Sequence, residues 1–152
     1  MVKIGTRDEY REVKGKIGIY GQDNCPFCDL ESQKDHVIWK GKHWYILHNM
    51  FPYSGNEKHI MAVPYEHKKV GIELIDEEIL ELKDIYKFME EWFGDENYFS
   101  CTRESMGNRS VEHYHMHFIP GRLQGKYLRK MLENQGYLVH QELDINEKKY
   151  VK

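Results

Sequence analysis

Residues 111–120 read VEHYHMHFIP, and the three alternate histidines His113, His115 and His117 are the first candidates for chemistry. In an extended strand, positions i, i+2 and i+4 line one face. The spacing therefore predicts a histidine strand over 111–119, with three imidazoles on one side and Tyr114, Met116 and Phe118 packed on the other. Two kinds of chemistry use imidazoles crowded in this way. One is chelation of a catalytic metal. The hydrolytic version of that pattern, HxHxDH, needs a carboxylate just after the pair, and here His117 is followed by Phe118 and Ile119. The other is nucleophilic attack on phosphorus by a neutral imidazole, giving a phosphoramidate labile enough to be hydrolysed. That role needs the second ring nitrogen held by an acceptor such as a backbone carbonyl. Neighbouring imidazoles can then donate to phosphate oxygens and protonate a leaving group.

A second group of reactive side chains is Cys25-Pro26-Phe27-Cys28. A CxxC pair can be a zinc knuckle, a redox dithiol or an unused pair of thiols. Structural zinc is four-coordinate, so the first reading needs two more ligands from elsewhere in a chain with nine histidines. Such a site would tie the N-terminal segment to the sheet. His36, His43 and His48 read as ordinary structural or surface histidines. His59 and His67 stand out because they bracket Pro64 in the spacing His-x4-Pro-x2-His.

The elements that must carry these residues follow from periodicity. Residues 36–49, HVIWKGKHWYILHN, place apolar and aromatic runs on either side of Lys40-Gly41-Lys42 and predict a β-hairpin. Residues 50–58 form a loop around Pro52, Gly55 and Asn56, and 59–65 form a third strand ended by Pro64. Ile79, Leu82, Ile85, Tyr86, Met89, Trp92 and Phe93 trace one stripe of a helix over 76–93. Asp76 is its expected N-cap, and Gly94 its stop. Residues 97–102 read as a strand, 125–134 as a short helix, and GYLVHQEL in the tail as one more strand. The first 24 residues are polar and rich in Gly and Lys, with one short apolar stretch, IGIYG, at 17–21. The sum is α+β: an antiparallel sheet with one long and one short helix.

Composition narrows the field. A chain of 152 residues suits a single domain, and 40% hydrophobic content allows a core without disulfides. The net charge of −3 argues against a general nucleic-acid binder. Lys148 and Lys149, and the run from Arg122 through Lys126 and Arg129 to Lys130, read as solvated faces. No apolar run approaches 18 residues, so no membrane partner is expected. The start MVKIGTRDEY has no hydrophobic leader, and unpaired cysteines fit a reduced, cytoplasmic setting.

Taken together, these motifs resemble the histidine-triad superfamily of nucleotide hydrolases and transferases, whose signature is His-φ-His-φ-His-φ-φ with φ apolar. The chain reads His-Tyr-His-Met-His-Phe-Ile, HIMAVPYEH matches the upstream strand, Ser110-Val111 matches the residues before the triad, and CPFC matches the zinc-binding branch. The likeness spans about 24–122. It implies His115 as the nucleophile, His117 on the phosphate and leaving group, His59 orienting the triad, and Ser110 contacting phosphate or leaving group. It also implies a structural zinc held by Cys25, Cys28, His67 and His113, and a ribose contact at Asn49. The family places an amide eleven residues before the first histidine; here that residue is Thr102, with Asn108 or Arg109 able to supply the missing donor. The triad is followed by Pro120-Gly121-Arg122 rather than Pro-Arg, and the loop before His59 is longer than usual. The implied substrate is a nucleotide cleaved at its α-phosphate, a dinucleoside polyphosphate or a phosphoramidate, with water or phosphate as acceptor. The implied assembly is a dimer through the long helix. A nucleotide sensor with little turnover shares the same motifs.

Overall fold

The computed structural model describes residues 2–17, 20–105, 109–123, 125–134 and 136. Asn108 and the tail from Tyr137 onward, with its anticipated strand, lie outside them.

Five antiparallel strands run in the order β1-β2-β3-β5-β4. They are β1 (Val37–Lys40), β2 (Trp44–His48), β3 (Ile60–Pro64), β4 (Tyr98–Thr102) and β5 (Met116–Pro120). The hairpin turn at Gly41 docks on the long helix α3 (Asp76–Phe93), where the Glu81 carboxylate receives the Lys42 and His43 N–H groups. A Cβ at Gly41 would collide with the ends of the Trp39 and Glu81 side chains, so a larger residue there would displace the Glu81 carboxylate.

Because side chains alternate across a strand, the sheet sorts its residues onto two faces. Trp44, Ile46, Ile60, Ala62, Tyr114, Met116 and Phe118 face α3 and pack on Ile85, Met89 and Phe93. Burying side chains of this size stabilises by about 1.5–3 kcal/mol each before chain entropy is counted. Tyr45, Leu47, Met61 and Val63 face the other way and pack on Cys25, Phe27 and Val111. The site residues gather on this second face.

Three expectations need correction. The histidine strand is shorter than 111–119, since β5 begins at Met116. Continuing the register of β3 and β5 would set Pro64 opposite Tyr114. Proline has no N–H to give the ladder, its carbonyl is taken by the His113 ring at 2.8 Å, and the Tyr114 N–H goes to Lys68 O instead. The long helix has Ile75, not Asp76, at its N-cap, and the Glu78 carboxylate reaches back to the Ile75 N–H at 2.9 Å. Gly94, at φ +57°, ends it as expected.

The helix inventory is also larger. α4 (Gly125–Asn134) matches the short helix, but α1 (Arg7–Ile17) and α2 (Leu30–Gln33) were not anticipated. α1 opens with a reciprocal capping box: Thr6 Oγ1 accepts the Glu9 N–H at 3.2 Å, and Glu9 Oε2 accepts the Thr6 N–H at 2.6 Å. The Tyr10 ring packs tilted against Phe51, 5.6 Å between centroids, and lays the helix beside the second face of the sheet. Among the described residues, no helix is long and apolar enough to cross a membrane.

Candidate active site and metal centre

The register of the sheet builds the site. His117 lies opposite Met61 on β3 and Cys101 on β4, and His59, two residues before Met61, points to the same face. Asn49 follows β2, and its backbone N–H is bonded to His59 O. A cleft of about 810 Å³ opens there, bordered by His115, His117, Ser110, Asn49, Tyr53 and Phe27. Helix α1 forms one wall and brings Arg7 and Lys14 to it, while Arg103 and Arg109 border the triad side. With five basic side chains on its walls, Arg11 of α1 being the fifth, the cleft favours an anionic ligand.

His115 keeps one side open to the cleft. Its Nδ1 is 2.7 Å from His113 O, and a carbonyl can only accept, so Nδ1 carries the hydrogen. Among the described residues, Nε2 has no hydrogen-bond partner, so its lone pair is available. Burial, together with nearby Arg109 and Arg103, holds His115 down to about 4, so the ring is neutral at physiological pH.

The tautomers of His59 and His117 follow from their partners. The Tyr53 backbone N–H donates to His59 Nδ1 at 3.3 Å. His59 is fully buried and pushed down to about 3 by that burial, so it has a single hydrogen, and this sits on Nε2. Nε2–H donates to His117 Nδ1 at 3.0 Å, which places the hydrogen of His117 on Nε2, facing Tyr53 Oη at 3.2 Å. Burial also pushes His117 well down. Asn49 Nδ2 stands 3.2 Å from His59 Nε2, which as a donor cannot accept from it. Asn49 Oδ1 accepts the Phe51 N–H at 2.9 Å, which fixes the plane of the amide on the cleft wall.

Phe27 separates this network from a second cluster, with its ring 5.2 Å from that of His115 and 6.1 Å from that of His113. Cys25, Cys28, His67 and His113 each offer one ligand atom, all within 4.8 Å of one another. A tetrahedral metal with bonds of about 2.3 Å to sulfur and about 2.0–2.1 Å to nitrogen has S···N edges of roughly 3.5 Å. The sulfurs of Cys25 and Cys28 lie 3.4 and 3.5 Å from His113 Nδ1, and Cys28 Sγ lies 3.3 Å from His67 Nδ1. The remaining ring nitrogens are held as metal ligands require: His113 Nε2 by Pro64 O at 2.8 Å and His67 Nε2 by the Glu112 carboxylate at 3.2 Å. These four residues could hold a metal ion, and their donor set fits one.

Of the other sequence-derived site residues, Ser110 and Arg109 border the cleft, and Arg109 is buried with Nη1 on Lys69 O at 2.6 Å. Thr102 is not brought there. It pairs with Met116 on the core face and is hydrogen-bonded to Tyr114. The next residue, Arg103, falls on the cleft side because faces alternate along the strand. Sequence reasoning missed Arg103, Tyr53 and Arg7. The alternation of β4 carried a signal for the first and the Thr6–Glu9 capping box for the last; the long loop hid Tyr53.

No protein-family model matches the chain, and no curated protein matches it in sequence. Solved structures do share its fold. One is a HIT family hydrolase from Clostridium thermocellum, with a TM-score of 0.55 and 20% identity over 69% of this chain and 96% of that one. Another is a histidine triad protein from Clostridium difficile, at 0.53 and 19%, covering 70% and 98%. A third is the Plasmodium falciparum diadenosine triphosphate hydrolase, at 0.50 and 20%, covering 67% and 75%. The fold is that of the histidine-triad proteins.

Proposed function

We propose that the chain is a histidine-triad enzyme that cleaves a nucleotide at its α-phosphate through a nucleotidyl group held on His115. The observation that carries this reading is the 2.7 Å bond from His115 Nδ1 to His113 O, which leaves a neutral, cleft-facing Nε2 lone pair. Attack by that nitrogen forms a P–N bond as the bond to the leaving group breaks, and an acceptor, water or inorganic phosphate, then reverses the P–N bond. Ser110 and Arg109 would bind the phosphoryl oxygens, with His117 beside them in the tautomer that His59 fixes. The Asn49 amide, on the cleft wall, is suited to a ribose hydroxyl. Asn108 stays a candidate phosphate donor by sequence position alone.

Cys25, Cys28, His67 and His113 would hold a structural zinc ion, whose chemistry there is to keep both thiols as thiolates and pin their loop to the sheet. Since His113 also supplies the carbonyl that orients His115, a held His113 keeps the nucleophile aimed. The basic cleft and the named activity of the Plasmodium neighbour favour dinucleoside polyphosphates as the substrate class. Ile75, Ile79, Leu80 and Tyr86 are exposed on α3 and would seat a second copy in a homodimer. A reduced, cytoplasmic setting suits the free thiols.

Brief incubation with diadenosine tetraphosphate, acid-free quenching and peptide mass spectrometry test the reading. The expected result is a nucleotidyl adduct on His115. Turnover that survives in His115→Ala overturns it.

A further inference from the structure

The oxygen of Tyr53 is held by two neighbours. Arg103 Nη2 donates to it at 3.0 Å, because a guanidinium has no acceptor. His117 Nε2 also donates to it, at 3.2 Å, by the tautomer that the Tyr53 backbone and His59 impose. A phenol oxygen with both acceptor directions filled must aim its own hydrogen elsewhere. Tyr53 is 8% exposed and lines the same cleft as His115 and His117. Its hydrogen is thereby left for a group bound in that cleft.

We propose that Tyr53 is the catalytic proton donor to the leaving group. As His115 Nε2 forms its bond to phosphorus, the electron pair of the breaking bond goes to the leaving atom, which takes the phenolic hydrogen. The resulting phenolate is held by the Arg103 guanidinium and the His117 Nε2–H, with the Arg7 guanidinium 5.1 Å from the centroid of the ring. In the second half, water attacks phosphorus, the P–N pair returns to His115 Nε2, and the water proton restores the phenol. Burial raises the phenol above its ordinary value, so it enters the cycle protonated. His117 cannot serve as well. Loss of its proton would leave an anionic ring whose Nδ1 is already an acceptor from His59.

This assignment rests on the nucleotidyl-histidine reading, and the test separates the two. Wild type and Tyr53→Phe are compared on two derivatives of one nucleotide: an unsubstituted phosphoramidate, whose amine must be protonated to leave, and a p-nitrophenyl ester, whose phenolate leaves unaided. Both substrates are expected to label His115. In Tyr53→Phe, kcat/KM is expected to fall roughly 10²–10⁴-fold on the phosphoramidate and by less than about fivefold on the ester. The ratio within one preparation is independent of the folded fraction. Arg103→Gln, which keeps the phenol but weakens its phenolate, is expected to shift the same ratio less, and serves if Tyr53→Phe does not fold. Equal losses on both substrates, or a wild type that turns over only the ester, overturn the assignment and leave His115 as nucleophile. Absence of any His115 adduct from either substrate overturns both.

Discussion

His113 and His117 stand four residues apart, both buried on the same side of the sheet, yet their surroundings differ in kind. Around His113, two sulfurs and the His67 ring converge at metal-edge distances, while the outer ring nitrogens of His113 and His67 are held by Pro64 O and Glu112. Around His117, every hydrogen is assigned by a neighbour: Tyr53 N to His59, His59 to His117, His117 to Tyr53 Oη. The first region is a donor set that could hold a metal ion, whereas the second is a chain of hydrogen bonds with one face open to the cleft. His115 lies between them and depends on both, through the His113 carbonyl behind it and His117 beside it, 4.9 Å between ring centroids. Stability and chemistry should therefore separate by residue along HYHMH.

The sharpest way to break this comparison is to remove the metal. Cys28→Ser, or prolonged chelation, is expected to lose zinc and on the order of several kcal/mol of stability, read by metal analysis and urea unfolding. Activity under folding conditions should fall less than stability does, because His115 keeps its carbonyl. If mild chelation abolishes turnover while the fold stays intact, the cluster is catalytic and the division fails.

His115→Ala should do the opposite. Turnover is expected to fall at least roughly 10³-fold, with zinc content and unfolding midpoint near those of wild type. His115 meets the cluster's residues through its Nδ1–H donated to His113 O and its ring edge on Phe27, and it supplies no ligand atom to the cluster.

Acid should expose the buried network. His59 is held down to about 3 and His117 well below its ordinary value, both chiefly by burial. Between about pH 6.5 and these lowered values the unfolded chain takes up protons that the folded chain refuses. Their contribution is thus full above about pH 6.5 and is lost as pH falls toward 3, at about 1.4 kcal/mol per pH unit for each ring. His59→Gln should flatten the plot of unfolding free energy against pH by about one ring's share. Comparing slopes cancels protonation of the metal ligands, and an unchanged slope would mean that His59 is not held neutral.

The sequence was most legible where one physical rule acted alone. The helix over 76–93 appeared through its apolar stripe, and the hairpin around Gly41 through its flanking apolar runs. The gathering of Cys25, Cys28, His67 and His113 needed only ligand chemistry and the family spacing. Reading failed where two rules competed. Alternation promised a strand through His113, but Pro64 cannot feed the ladder and the backbone turned to Lys68. Counting back from the triad gave Thr102, but the pleat puts Thr102 under Tyr114 and gives the cleft Arg103. Tyr53 lay in a loop with no period at all, and only tertiary contacts bring its hydroxyl to His117. Helix α1 was a plain oversight, since Thr6-Arg7-Asp8-Glu9 spells out its cap.

That cap offers the smallest and most local perturbation. Thr6→Ala removes the acceptor of the Glu9 N–H and is expected to cost about 1 kcal/mol. α1 touches the cleft through Arg7, Tyr10 and Lys14, while the metal cluster lies on the far side of Phe27. Fraying of its first turn should loosen Arg7, whose Nη1 is anchored on Phe51 O at 3.1 Å and whose guanidinium covers the Tyr10 ring at 4.0 Å. The expected signature is a few-fold rise in KM for an anionic substrate with kcat nearly unchanged and zinc content untouched. A matching fall in zinc content would show that the two regions unfold together. An unchanged KM would show that α1 is a wall of the cleft and not part of its grip on the substrate.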